Sequence, residues 1–410
     1  MKNTSTLAAG LAAAIIALCT AAVAADAESA LRSALPDIFK RSEAHYKALL
    51  KAMETQKGDM NPKRFENGKL VVIPPKDWCS GFFPGSLWYL YEYTKDDFWK
   101  KAAVDYTERL IEPLRHDASN HDVGFRTYCS AGNALRLTGD KRYADFLHDT
   151  AAALRTRYDD KIGLIRSWNS GKAGGHFGAQ YIVIIDNMMN LELLEWDAKN
   201  GGSPKSDAIS RSQADITDRH HFRPDGSAYH ILDYNVDTRK IRGIFAGQGA
   251  CVEGTWSRGQ AWAIYGFTMA YRFTRDERFL QTAVRAADFF LGHLPEDGIP
   301  FWDFDAGVEL EDQPKDASAA AIVASALLEL QDYLPGPEGK KYLEAAIRLI
   351  TILSSDAYRA GDRCSAFLLH ATGHKPRGSE VDASLSYADY YYLESLYRLR
   401  RIVGRETVIP

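Results

Sequence analysis

The chain is poor in cysteine and lacks an excess of positive charge. Of its 410 residues only five are cysteines, at 19, 79, 129, 251 and 364. They form no C-x-x-C pair and no spacing with histidine that would hold zinc, so a structural metal knuckle is excluded. A disulfide scaffold is excluded too, because a chain of this length has core enough without one, and free buried thiols are expected. Fifty basic residues stand against 54 acidic ones, a net charge of −4, which lacks the basic excess of a nucleic-acid binder. The apolar stretch from Leu7 to Val23 is the one long hydrophobic run. It follows Lys2 and closes on Ala22-Val23-Ala24, the pattern of a secretory signal peptide over residues 1–25. Export, to the periplasm first and outside the cell second, is expected, with no membrane span in the mature chain. Also missing are a G-x-S-x-G elbow, a P-loop, an H-E-x-x-H pair and a dinucleotide fingerprint, which removes serine-hydrolase, nucleotide and zinc-protease chemistry.

What is present is a globular composition with 46% hydrophobic residues and an aromatic set of 8 Trp, 21 Tyr and 18 Phe. Such rings either fill a core or offer faces to sugars. Apolar residues recur with the helical period over twelve segments: 28–53, 81–94, 97–115, 121–138, 141–157, 181–198, 205–220, 257–274, 277–294, 316–333, 338–355 and 383–402. Short and long links alternate between them, as in a series of antiparallel helix hairpins. One short link recurs as Thr94-Lys95-Asp96, Thr138-Gly139-Asp140 and Thr274-Arg275-Asp276, each followed by an aromatic residue. Its Thr and Asp suit the free N–H groups of the next helix. Twelve helices make six hairpins, the number that closes a barrel, so the chain reads as all-α, an (α/α)6 barrel forming one catalytic domain over 26–410. The long links gather at one end, and that end is the expected site.

Asp186 stands in the apolar run Tyr181–Leu191. Burial would keep its carboxyl protonated near neutral pH and make it an acid, unless it merely caps a helix. Asp122, in His121-Asp122-Val123-Gly124-Phe125, opens a helix and carries the same two readings. Two carboxylates are the usual equipment for acid–base work on sugars. In Trp256-Ser257-Arg258-Gly259-Gln260-Ala261-Trp262, Arg258 at a helix start suits a substrate carboxylate. Trp78 and Trp262 are stacking platforms or core, and His230 and Gln248 are hydrogen-bonding ligands or structural residues.

Taken in order, Trp78-Cys-Ser-Gly-Phe-Phe-Pro-Gly, His121-Asp-Val-Gly-Phe, Ile185-Asp-Asn-Met-Met-Asn-Leu, Trp256-Ser-Arg-Gly-Gln-Ala-Trp and Asp316-Ala-Ser-Ala-Ala-Ala-Ile resemble the unsaturated glucuronyl hydrolases of glycoside hydrolase family 88. The resemblance spans nearly the whole mature chain and implies an (α/α)6 barrel with no metal or organic cofactor. It implies hydrolysis of the 4,5-unsaturated uronic acid that polysaccharide lyases leave on their products, glycosaminoglycan disaccharides foremost. Asp186 would protonate C4 of the double bond and then help water add at C5; Asp122 would hold sugar hydroxyls and keep Asp186 protonated. Trp78, His230, Gln248, Arg258 and Trp262 match substrate contacts. A late-loop Ser-x-x-Ser-x-Lys pattern of members that accept sulfated fragments is reduced here, in His370–Lys375, to its Lys375, with His374 and Arg377 nearby. The alternatives are an unsaturated rhamnogalacturonyl hydrolase on a related barrel and a non-catalytic sugar-binding barrel.

Overall fold

Each of the twelve periodic segments folds as helix, the first extended back to Thr4 and one with a displaced start. The structure, a computed structural model, describes the backbone of residues 4–66, 68–169, 178–305 and 313–409, and side chains from residue 29 onward. The side chains of the expected export segment, residues 1–25, lie outside the described residues. The helices are α1 (Thr4–Met53), α2 (Phe82–Thr94), α3 (Asp97–Leu114), α4 (Val123–Thr127), α5 (Asn133–Thr138), α6 (Lys141–Arg155), α7 (Asn187–Lys199), α8 (Pro204–His220), α9 (Ser257–Thr274), α10 (Glu277–Gly292), α11 (Ala317–Leu330), α12 (Gly336–Leu353) and α13 (Ser386–Val403). A single π-helical turn, Tyr128–Gly132, joins α4 and α5 into one rod. None of the described helices is long and apolar enough to cross a membrane.

The recurring short link works as its chemistry requires. Each Thr hydroxyl donates to the carbonyl four residues back, Thr94 to Leu90 at 2.7 Å, Thr138 to Ala134 at 2.6 Å and Thr274 to Ala270 at 2.7 Å. The middle residue turns left-handed, with φ of 59° at Lys95, 68° at Gly139 and 55° at Arg275. Asp96, Asp140 and Asp276 then accept from the N–H two residues on, at 2.9, 3.0 and 3.0 Å. The chain therefore reverses tightly three times, laying α3, α6 and α10 against α2, α5 and α9.

Two kinds of helix result. All of α11 is buried, as are the first fourteen residues of α9, from Ser257 to Ala270, whereas α6, α10 and α12 bury one stripe and expose the other. A helix buried all round belongs inside and an amphipathic one outside. Packing follows that division: α2, the α4–α5 rod, α7, α9, α11 and α13 contact one another in sequence, and α13 returns to α2 to close the inner ring. Behind them stand α3, α6, α8, α10 and α12, with α1 against α12 and α13. This is the expected (α/α)6 barrel.

The displaced start is at 181–184. The segment 181–198 was expected to be helical throughout, but Tyr181–Ile184 is a strand, β5. Its β-branched Ile182, Val183 and Ile184 favour a pleated surface over a helix. Before it come two short hairpins, β1 (Asn61–Glu66) with β2 (Lys69–Ile73) and β3 (Tyr158–Asp159) with β4 (Leu164–Ile165). After it come β6 (Ile231–Tyr234) and β7 (Ile241–Phe245), which complete a three-stranded antiparallel sheet in the order β5-β6-β7. All of these lie in the long links, at the end opposite the Thr-x-Asp turns.

Candidate active site

Sheet register brings the first two site residues together. Ile184 of β5 pairs with Ile231 of β6, and the N–H of Ile185 donates to the His230 carbonyl at 3.0 Å. Asp186 and His230 are therefore neighbours although 44 residues separate them in sequence. Oδ2 of Asp186 lies 3.8 Å from Nε2 of His230 and has no hydrogen-bond partner. The Asp186 carboxylate precedes α7 but makes no cap bond to it, so the capping alternative fails. Burial first, and the charge of Asp122 second, raise its carboxyl to about 7, against the opposing pull of Arg258. An acid of that strength, buried yet 8% exposed, is half protonated near neutral pH and open to a ligand.

Asp122 takes the same position before α4 that Asp186 takes before α7, and it too makes no side-chain cap. The two share one cleft of about 740 Å³ at the long-link end of the barrel. Trp78 enters from the turn before α2, its ring 4.9 Å from that of Tyr387. His230 is driven to about 3 by burial and is thus a neutral imidazole. Its Nδ1 is 3.0 Å from the N–H of Gln248 and 3.1 Å from the Ala246 carbonyl. That approach needs Gly247, which has φ of 61° and whose Cβ, if it had one, would fall on Nδ1 of His230. Gln248 lines the cleft and donates to the Gly373 carbonyl at 2.8 Å.

The same combination of residues and barrel recurs in known proteins. No protein-family model matches the chain. It is 42% identical to the unsaturated glucuronyl hydrolase of Formosa agariphila over 336 residues, 81% of this chain and 82% of that one. It is 35% identical to the unsaturated glucuronyl hydrolase of Bacillus sp. (strain GL1), over 82% of this chain and 89% of the relative. A crystal structure of an unsaturated glucuronyl hydrolase specific for heparin superimposes with a TM-score of 0.83 at 39% identity, covering 90% of this chain and 98% of the other. The chain belongs to the unsaturated glucuronyl hydrolase family.

As a member of that family it is a glycosidase, and its cleft corrects two expectations drawn from the sequence and narrows a third. Trp262 is fully buried inside the ring, 5.1 Å from the Phe125 ring and 5.4 Å from that of Tyr391, and does not line the cleft. Its place in the helix makes it core: α9 is an inner helix, and position 262 faces the barrel axis. Lys375 does not line the cleft either; its ammonium sits 5.6 Å from the Trp302 ring, while His374, Arg377 and Glu380 of the same loop do line it. Arg258 lines the cleft but is largely committed to the protein. Nη1 pairs with Asp316 at 3.1 Å and donates to the Thr372 carbonyl, and Nη2 donates to the Gly373 carbonyl at 2.7 Å. Of its five N–H donors, the one on Nε, buried and without a partner, and one on Nη2 are not spent on the protein. Arg258 is thus a strut for the 372–373 loop as much as a ligand.

Several lining residues escaped the sequence reading. Trp168 and Asn169 form part of the wall, in the link between β4 and β5. The signal was a Trp among small polar residues in a long link. Lys63 reaches in from β1 and pairs with Glu380 at 2.9 Å, and Arg64 holds the same carboxylate at 3.0 Å. These bonds tie the late loop to the β1–β2 hairpin across 316 residues of chain, a closure no local pattern announces. The four cysteines beyond the export segment are free, and Cys251 is exposed where buried thiols were expected.

Proposed function

We propose that the protein removes the non-reducing terminal 4,5-unsaturated uronic acid from lyase-derived glycosaminoglycan disaccharides. The reading rests on one observation: a buried carboxyl without a hydrogen-bond partner on Oδ2, raised to about 7, faces a cleft that holds a second carboxylate. Asp186 gives its proton to C4 of the C4=C5 bond, whose π electrons form the new C–H bond. The positive charge left at C5 is shared by the ring oxygen. Water then adds its oxygen to C5 and returns a proton to the Asp186 carboxylate, regenerating the acid. The hemiketal so formed opens and collapses, releasing the sugar and a keto acid. Asp122 accepts hydrogen bonds from the uronate hydroxyls, and its charge keeps Asp186 protonated before the first step. Neutral His230 and Gln248 orient the ring, Trp78 and Trp168 flank it, and the two remaining donors of Arg258 meet the carboxylate.

Arg377, on the rim, makes no ion pair among the described residues, and it replaces Lys375 as the group that meets a sulfate on the second sugar. Residues 1–25 direct the chain to export, most simply to a periplasm that receives lyase products. N-terminal sequencing of the mature protein from the exported fraction checks that point and should begin near residue 26.

The test of the activity is loss of the C=C ultraviolet absorbance on incubation with unsaturated disaccharides from hyaluronan, chondroitin and heparin, with and without sulfate, and from rhamnogalacturonan. Decay on at least one glycosaminoglycan disaccharide is expected. Decay on the rhamnogalacturonan product alone would move the chain to the neighbouring specificity, and no decay on any would defeat the hydrolase reading.

A further inference from the structure

The hydrogen position on His121 is fixed by its neighbours. Asn187, the first residue of α7, donates through Nδ2 to the Ile165 carbonyl at 2.8 Å and to Oγ of Ser167 at 3.0 Å. A carbonyl cannot donate, so the Asn187 amide cannot be turned over, and Oδ1 is the atom that faces His121. That oxygen is 2.6 Å from Nδ1 of His121, which must therefore carry the hydrogen. Ser167 is itself pinned, since its Oγ accepts from the Ile184 N–H at 2.9 Å and its carbonyl from the His121 N–H at 3.0 Å. In the neutral ring the other nitrogen, Nε2, is left as a bare acceptor. It is fully buried, has no hydrogen-bond partner, and stands 3.3 Å from Oδ1 of Asp122.

A ring lone pair and an ionised carboxylate facing each other at that distance in a buried site repel, and a proton placed between them reverses the sign. We propose that His121 is a positioning residue of this hydrolase: it and Asp122 hold one proton between them, and that proton sets how much of Asp122's negative charge reaches Asp186. The inference deepens the acid reading of Asp186 and rests on it. Other charges act on both ends of the array. His121 is faced by Asp122 from its own turn, by Arg126 of α4 and by Arg157 beyond α6. Asp186 is faced by Asp122, by Arg258 of α9, and by His230 from the link into β6. Burial most of all, and the two arginines with it, hold His121 below the ordinary imidazole range, while Asp122 and the Asn187 bond pull the other way. A proton between Nε2 of His121 and Oδ1 of Asp122, 3.3 Å apart, leaves Asp186 beside a partly neutralised neighbour.

The experiment is the pH dependence of kcat/KM for the full-length chain and its His121→Gln variant, on whichever unsaturated disaccharide the native chain turns over. Gln keeps a donor toward Asp122 but cannot take up a proton. Asp122 then stays fully ionised, and the upper limb, where Asp186 loses its proton, moves to higher pH by about half a unit or more. An upper limb left in place, whatever happens to the maximal rate or the melting temperature, makes His121 a packing residue and overturns the proposal. Should the variant not fold, ¹⁵N-histidine spectra of the native chain and of Asp122→Asn decide it. Nδ1 protonated with Nε2 titrating, and that titration shifted in Asp122→Asn, is expected; a neutral ring protonated at Nε2, or no change in Asp122→Asn, overturns it. If the native chain turns over none of the disaccharides, the functional reading fails, while the spectra still judge the pair.

Discussion

Asp186 serves chemistry at a cost to the fold. Its carboxyl titrates at about 7 in the folded chain and at about 3.9 in an unfolded one. Between those values the folded state binds more protons, so stability falls as pH rises through this window and stays lowered above it. Asp186→Asn removes the ionisation. The variant should melt higher than the native chain above pH 7, with the difference vanishing below about pH 4. Melting curves across that range check it, and a difference that grows toward acid pH would reverse the assignment. Asp389, also raised to about 7 by burial, titrates in both proteins and cancels from the comparison. Arg258 invites a second residue-level test. Its truncation leaves Asp316 buried without its cation, so Arg258→Ala should lose roughly 3–5 kcal/mol of stability as well as affinity. Chemical denaturation measures the first and ligand titration the second. A loss of affinity with stability unchanged would show that the loop bonds contribute little.

Among elements, the Thr-x-Asp turn is the unit that the sequence disclosed most fully. Its cap is common to Asp96, Asp140 and Asp276, and removing it should cost about 1 kcal/mol at Asp276→Ala. The middle position carries a cost of the opposite kind, because Lys95 is left-handed at φ of 59° where Gly139 fills the same place freely. Lys95→Gly should therefore stabilise by up to about 1 kcal/mol, read in the same denaturation experiment. Strand β5 shows where local pattern fails. An apolar run of five before a helix has no periodicity of its own, and only its pairing with β6, more than 40 residues on, makes it a strand. That pairing is what sets Asp186 beside His230. The site was thus legible as a list of residues before its geometry was: Asp122, Asp186, Trp78, His230, Gln248 and Arg258 all meet in the cleft. Trp262 and Lys375 were misplaced because residue type does not tell which face of an inner helix, or which side of a loop, a side chain takes. Trp168 and Lys63 were missed because their links carry no helical or capping signal.

At the scale of the whole molecule, the inner ring of helices buried all round and the outer ring of amphipathic ones explain why twelve segments could be counted from the sequence. Closure of the ring, with α13 against α2, followed from the number of hairpins, since six is what a toroid of this kind needs. The stapled turns hold one end of the barrel, which leaves the other free for long links, and the chemistry lies there. Near-neutral overall charge fits this arrangement, because the anionic sugar is met by a few donors at a single mouth. All of it converges on one carboxyl. The measurement that tests the account most directly is turnover by Asp186→Asn on an unsaturated glucuronyl disaccharide, followed by C=C absorbance, beside calorimetric binding of the same disaccharide. The account predicts a fall in kcat of about 10²–10⁴-fold or more with binding retained. Turnover within a few-fold of the native chain would contradict it.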